Sequence, residues 1–226
     1  GAKHLDYSWL RSEFAFVLDS NGAVGSVIVQ APAQIKTLSV IKGKAAHAGL
    51  APEKGISAIQ AAARAVNNMK LLRIDEETTA NIGRINGGGA TNIVCDKVEM
   101  EMEARSLTRS KVEAQAKHML ECIDDACREF GAEHETTQQL SYPEINIPKD
   151  AEVIKLVDSA IKRIGLETRL ESTGGGSDTN IMSGKGIQAV TLGIGMTNAH
   201  TTSEYITISD MEKTAELVAS LIQEAR

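Results

Sequence analysis

The chain has 226 residues, 42% of them hydrophobic, which suffices to bury one large core or two modest ones. Its net charge of -6 and the lack of a basic run argue against nucleic acid or an anionic membrane as partner, since both demand concentrated Lys and Arg; a small-molecule substrate fits better. No apolar stretch is long enough to span a bilayer, and three cysteines (Cys95, Cys122, Cys127) without a CxxC pair fit a reducing cytoplasm.

In chain order, short apolar strands are expected over 14–18 and 26–29. A strand over 34–42 leads to a helix over 55–72, with Ile56, Ile59, Ala63 and Val66 on one face and Met69 extending it. A strand over 78–86 ends at Gly87-Gly88-Gly89. In the next, over 97–105, Val98, Met100, Met102 and Ala104 alternate with Lys97, Glu99, Glu101 and Glu103, so one face is wet. A long amphipathic helix over 110–130 is bounded by Ser110 as N-cap, with Glu113 in capping-box register, and by Gly131 as C-cap. Cys122 and Cys127 lie in its pattern and read as small apolar groups. A strand over 132–140 completes the strand-helix-strand-strand-helix-strand order of a ferredoxin-like domain.

After it come a helix over 151–164, a strand over 168–171, a short helix over 178–182, a strand over 188–192 and a helix over 209–225. Neither flank alone can cover both faces of a sheet. Residues 1–32 and 142–226 are therefore expected to combine into an α/β layer, with 33–141 inserted between crossings at Pro32 and Tyr142-Pro143. Even combined, the flanks read as half a sheet. The opening Gly1-Ala2-Lys3-His4-Leu5-Asp6, without a starting methionine, reads as the interior of a longer protein.

Several residues have the chemistry of a site. Asp19 closes an apolar strand ahead of Ser20-Asn21-Gly22, which is equally a plain turn start. His200 lies in a turn rich in Asn and Thr, with Glu204 close by, and read alone is a solvated loop side chain. His47 stands among Ala45, Ala46, Ala48 and Gly49, small enough for close approach by a ligand. The segment Gly174-Gly175-Gly176-Ser177-Asp178-Thr179 lies between a strand and a helix, but has neither of the glycine spacings that cradle phosphates. Arg105 ends a strand, where its planar fork suits a carboxylate; Asn92 follows Gly89-Ala90-Thr91. His4, His118 and His134 lack ligand spacing and read as surface groups.

Taken together, Leu18-Asp19-Ser20-Asn21-Gly22, Lys42-Gly43-Lys44-Ala45-Ala46-His47-Ala48-Gly49, Gly174 to Thr179 and Asn198 to Ile206 resemble the dizinc aminopeptidase and deacylase family that includes peptidase T, carboxypeptidase G and succinyl-diaminopimelate desuccinylase. The resemblance implies part of an α/β zinc-hydrolase catalytic domain carrying an inserted ferredoxin-like lid and dimerisation domain. It implies two zinc ions in the complete enzyme, with Asp19 and His200 as ligands and Glu204 as a partner behind His200. Gly175, Gly176 and Ser177 would line the substrate pocket, while Asn92 and Arg105 hold a substrate carboxylate. His47 would reach across a homodimer, formed through the inserted domain, to steady the oxyanion.

The family's remaining ligands and its carboxylate base fall before residue 1, so this chain alone is expected to be inactive, with at most an incomplete metal site. Glu103-Ala104-Arg105-Ser106-Leu107 and Ala199-His200-Thr201-Thr202-Ser203-Glu204 place the resemblance in the peptidase T-like branch. That branch implies a cytoplasmic exopeptidase of the tripeptide aminopeptidase type. A deacylase acting on N-acyl amino acids, or a non-catalytic dimerisation and substrate-binding fragment, stands as the alternative.

Overall fold

The structure is a computed structural model describing residues 1–225, and it divides into two compact units: residues 1–32 with those from 142 on, and residues 33–141. The first unit opens with β1 (Phe14–Ser20) and β2 (Ser26–Ala31). The second follows with β3 (Ala33–Lys42), α1 (Ala58–Asn68), β4 (Leu72–Arg73), β5 (Thr78–Gly87), β6 (Lys97–Ser106), α2 (Arg109–Phe130) and β7 (Glu133–Tyr142). The first is then completed by β8 (Ile145–Asn146), α3 (Glu152–Arg163), β9 (Arg169–Ser172), α4 (Asp178–Ser183), β10 (Gln188–Gly193) and α5 (Ile208–Glu224). Among the described residues, no helix is long and apolar enough to cross a membrane.

In the first unit β1 runs parallel to β10, β10 antiparallel to β2, and β9 parallel to β2, with β8 at the far side. Cross-strand register decides what each face carries. Leu192, Val27 and Leu170 align and project to one side, where they meet Val157 and Ile161 of α3 and Leu217 and Leu221 of α5. The apolar residues of α3 recur as Val153, Ile154, Val157, Ala160 and Ile161, a helical stripe that is wholly buried. Each large side chain buried in this way contributes about 1.5–3 kcal/mol. Thr191, Ile28 and Glu171 align on the opposite face. The layer therefore has one side covered by α3 and α5 and an opposite side that carries polar groups, with α4 packed against Thr191 there.

The second unit has the strand-helix-strand-strand-helix-strand order with one short extra strand, β4, ahead of β5, and its sheet is ordered β4-β5-β6-β3-β7. Along β6, Val98, Met100, Met102 and Ala104 are buried while the intervening residues lie outward, as the alternation requires. Cys122 and Cys127 are in the core, and burial pushes both thiols up. Gly131 closes α2 at φ 67°, a left-handed position that glycine adopts without a Cβ penalty.

Several local expectations need correction. The first helix of this unit starts at Ala58, because Gly55 closes a turn onto the Pro52 carbonyl, Ile56 pairs with Lys44, and Ser57 Oγ caps by accepting from the Gln60 amide. It ends at Asn68, and Leu72–Arg73 becomes a short strand against Thr79 and Ala80. Its buried face is Ala58, Ala61, Ala62 and Ala65, so Ile59 and Ala63 point outward. Helix α2 is capped at Thr108, whose carbonyl takes the Lys111 and Val112 amides; Ser110 is already inside the helix. The Thr108 hydroxyl is held by Glu77 and makes no cap. His134 is no idle surface group: it bridges Asp124 of α2 at 2.6 Å and Thr136 of β7 at 2.8 Å. His118 accepts the Lys70 amide at 3.1 Å.

Candidate active site

The polar face of the first unit's sheet forms the floor of a cleft of about 670 Å³. Thr191, Ile28 and Glu171 line it from the strands, Asp19 and Ser20 from the end of β1, Gly175 to Ser177 from the loop before α4, and Ala199, His200 and Glu204 from the loop after β10. Among the described residues, three carboxylates and one imidazole thus face one space, with no Lys or Arg in its lining, an environment that favours a cation. Asp19 and His200 are both exposed to solvent. Among the described residues no group of three or more His, Cys, Asp or Glu is placed to hold a metal ion.

The loop bearing His200 is closed by paired hydrogen bonds between Thr197 and Tyr205. Within it Asn198 (φ 55°) and His200 (φ 67°) adopt the left-handed conformation that non-glycine residues take only when their surroundings enforce it. The Glu204 carboxylate supplies that enforcement by accepting the His200 backbone N–H at 2.7 Å. It therefore fixes the main chain that carries the imidazole, and its recorded bond is to that main chain instead of the ring.

The glycine segment is shaped by packing as well as by access. A Cβ on Gly176 would lie 2.3–2.5 Å from the Tyr142 ring, so glycine is needed there for the ring alone. Gly175 has no such neighbour, and its N–H bonds Thr173 Oγ1 at 3.1 Å. Ser177 caps α4: its Oγ accepts the Thr179 amide and pairs with Thr191 Oγ1 at 3.0 Å. Its main chain is held by Asn180, whose Oδ1 accepts the Ser177 N–H at 3.0 Å. Asn180 is fully buried and also donates through Nδ2 to the carbonyls of Pro32 and Pro143, at 3.1 and 2.8 Å.

Sequence reasoning missed both Asn180 and Glu171. A signal for Glu171 existed, because Leu170 pointing into the helix-packed core puts its neighbour on the other face. Glu171 is positioned by the Ser26 hydroxyl, which donates to it at 2.7 Å.

In the second unit, His47 and Asn92 sit on adjoining loops. Val94 N–H bonds the Ala46 carbonyl, His47 pairs with Ile93, and Ala48 N–H bonds the Asn92 carbonyl at 2.9 Å. Both residues lie beyond the end of the sheet where Lys42 pairs with Lys97. Arg105 lies toward the other end, opposite Gln34, eight residues along β6 from Lys97 (105 − 97), which is roughly 25 Å of strand. Its guanidinium forks onto Glu103 with bonds of 2.8 and 3.2 Å, and Glu103 also accepts from Gln34. The structure therefore groups Asp19, Gly175, Gly176, Ser177 and His200, separately groups His47 with Asn92, and keeps Arg105 apart from that pair.

The second unit is of a recognised kind: residues 34–131 match the family described as the peptidase dimerisation domain. Over its whole length the chain superposes on the crystal structure of aminopeptidase PepT from Bacillus cereus with a TM-score of 0.88 and 45% identity, covering 60% of that chain. It superposes on a tripeptidase from Staphylococcus aureus with a TM-score of 0.92 and 39% identity, again covering 60%. It is also 45% identical to the uncharacterised protein YqjE of Bacillus subtilis, covering 61% of that protein. A more remote structure, the Bacillus subtilis YXEP protein, described as a dinuclear metal-binding peptidase of the M20 family, shares the fold at 21% identity and a TM-score of 0.68. The chain is thus similar over its whole length to these proteins, two of them described as an aminopeptidase PepT and a tripeptidase, and it spans about three fifths of their length.

Proposed function

We propose that this chain belongs to a homodimeric zinc exopeptidase of the tripeptide aminopeptidase type, acting on short peptides in the cytoplasm. In this reading residues 1–32 and 142–226 are the C-terminal part of the catalytic domain, and 33–141 form its lid and dimerisation domain. The observation that carries it is the cleft in which Asp19 and His200 stand together under the fold of a peptidase.

The two side chains fit zinc in kind, a carboxylate oxygen and an imidazole nitrogen, but not in number, since one zinc draws three or four ligands from protein. The other ligands and the base would come from the part of the relatives' length that this chain does not span. Zinc held there would acidify a water and polarise the scissile carbonyl. The chain's own residues do the rest. Gly175 leaves the pocket wall open to a peptide backbone and Gly176 lines it with its main chain, its Cβ position being taken by the Tyr142 ring, with the Ser177 hydroxyl already engaged in capping α4. Arg105 holds the substrate carboxylate, exchanging its hold on Glu103 for the substrate, and Asn92, which adjoins His47, joins it from the partner subunit. His47 donates to the oxyanion in the partner subunit's site.

The exposed side of the second unit supports contact between copies. Beyond Ala80 the outer edge of β5 has no partner strand among the described residues, Ile85 there is 55% exposed, and Ile59 of α1 is 47% exposed. An unpaired edge beside outward isoleucines is a surface for antiparallel pairing with a second copy.

The test uses the complete polypeptide that contains this sequence. Bound zinc and release of the N-terminal residue from tripeptides are expected, with both lost in Asp19→Ala and His200→Ala. Ile85→Glu should convert a dimer to monomers. A wild-type protein that takes up no zinc and cleaves no peptide would overturn the reading.

A further inference from the structure

We propose that the backbone amides of Gly49 and Leu50 fix His47 as the tautomer protonated on Nε2, so that its far ring nitrogen is a standing hydrogen-bond donor and not a base. Both amides donate to His47 Nδ1, each at 3.1 Å. Leu50 shares its hydrogen with the His47 carbonyl at 3.3 Å, while the Gly49 N–H has Nδ1 alone. A ring nitrogen that receives an N–H must offer a lone pair, and a neutral imidazole with a bare Nδ1 carries its hydrogen on Nε2. A hydrogen on Nδ1 would instead face two donors.

The turn that presents these amides is itself fixed. The His47 carbonyl accepts from Ala51 at 3.0 Å, and on its other side His47 pairs with Ile93, so the ring is anchored to a loop braced at both ends. Gly49 serves through its N–H and not its small size, because an added Cβ would meet the ring at 3.7–3.8 Å, ordinary contact. Gly49 and Leu50 are thus positioning groups, and the atom they leave facing solvent is of the kind that stabilises a developing negative oxygen.

This inference deepens the reading of His47 as an oxyanion donor and rests on it for its purpose, though not for its geometry. Imidazole 15N resonances of the labelled chain, recorded at about pH 8.5, roughly two units above the ordinary imidazole pKa, read the tautomer directly. The expected result is Nε2–H favoured by more than about tenfold, as two added hydrogen bonds require, with scalar coupling from Nδ1 to the Gly49 or Leu50 amide nitrogen. Gly49→Ala should leave this pattern intact. Appreciable Nδ1–H, or no coupling to either amide, would overturn the inference. A locked ring together with undiminished peptide hydrolysis by His47→Ala would instead uphold the lock and remove the catalytic reading of His47.

Discussion

Replacing Asn180 with alanine tests how the first unit holds its site. The side chain is wholly buried and makes three hydrogen bonds, from the Ser177 amide and to the Pro32 and Pro143 carbonyls. Truncation strands one amide and two carbonyls away from water, and at roughly 1 kcal/mol of net loss per bond the cost is about 3 kcal/mol. Because the chain has two compact units, a single unfolding midpoint would blur the effect. Hydrogen exchange read by peptide separates them. Opening of the first unit should become roughly a hundredfold more frequent, at about 1.4 kcal/mol per tenfold, while exchange in α2 stays as it was. Asn180→Asp should be at least as damaging, since an acceptor then faces two carbonyls. A loss below about 1 kcal/mol, or an equal loss in both units, would refute the reasoning, the first by implying that water replaces the amide.

Gly176→Ala drives a methyl into the Tyr142 ring and should cost about 1–3 kcal/mol; a double-mutant cycle with Tyr142→Ala should recover much of that cost, and simple additivity would count against the clash. The Asp75 carboxyl is held at about 2 by the Glu77 amide first, with the Thr78 amide and the Lys111 ammonium assisting, against an ordinary value of 3.8. Its folded pKa is the lower one, so its stabilising contribution is full above 3.8 and disappears as pH falls through about 2. Asp75→Asn should therefore flatten the acid unfolding curve in that window, and an unchanged slope would show the interaction absent in solution. Leu72 sits at φ 65° with 71% of its surface exposed; Leu72→Gly should raise the thermal midpoint, worth roughly 0.5–1 kcal/mol, and a lower midpoint would mean the side chain packs more than its exposure suggests.

Much of the fold was legible because periodicity reports which side of an element is buried. The alternation along β6 and the stripe along α2 named their core positions directly. Helix α1 misled because spacing pointed to a face of Ile56, Ile59, Ala63 and Val66: four alanines form its inner face, where small side chains suit close packing against α2, Val66 packs beside them, and Ile59 and Ala63 are turned out. The caps of α2 divided in the same way. Gly131 carries its own conformational signature, whereas Thr108 caps through a carbonyl that every residue has. Asn180 was only half legible: Ser177 three residues before it makes a local capping box, whereas its other two partners lie 148 and 37 residues away, where no local pattern can mark them. Gly176 was visible as a special position, yet part of its reason is the Tyr142 ring, 34 residues earlier (176 − 142).

The placement of the second unit's polar residues bears on why contact between copies would be needed at all. His47 and Asn92 extend past one end of the sheet and Arg105 lies toward the other, at least about 25 Å along strands cross-bonded through register. A tripeptide, fully extended, spans at most about 11 Å. One copy of this unit therefore cannot bring His47 and Arg105 to the same short substrate without breaking its own β-ladder. If both act on one peptide, as proposed, they come from different copies, and each site is completed by its neighbour. Mixing subunits tests this sharply: His47→Ala and Arg105→Ala, each inactive as a homodimer, should together yield heterodimers with one intact site, about a quarter of wild-type activity for random assortment and equal site activity. Failure to complement in heterodimers shown to have formed would mean that both residues serve the same site from one chain, and the separation along β6 would then have to be reconciled with a rearranged sheet.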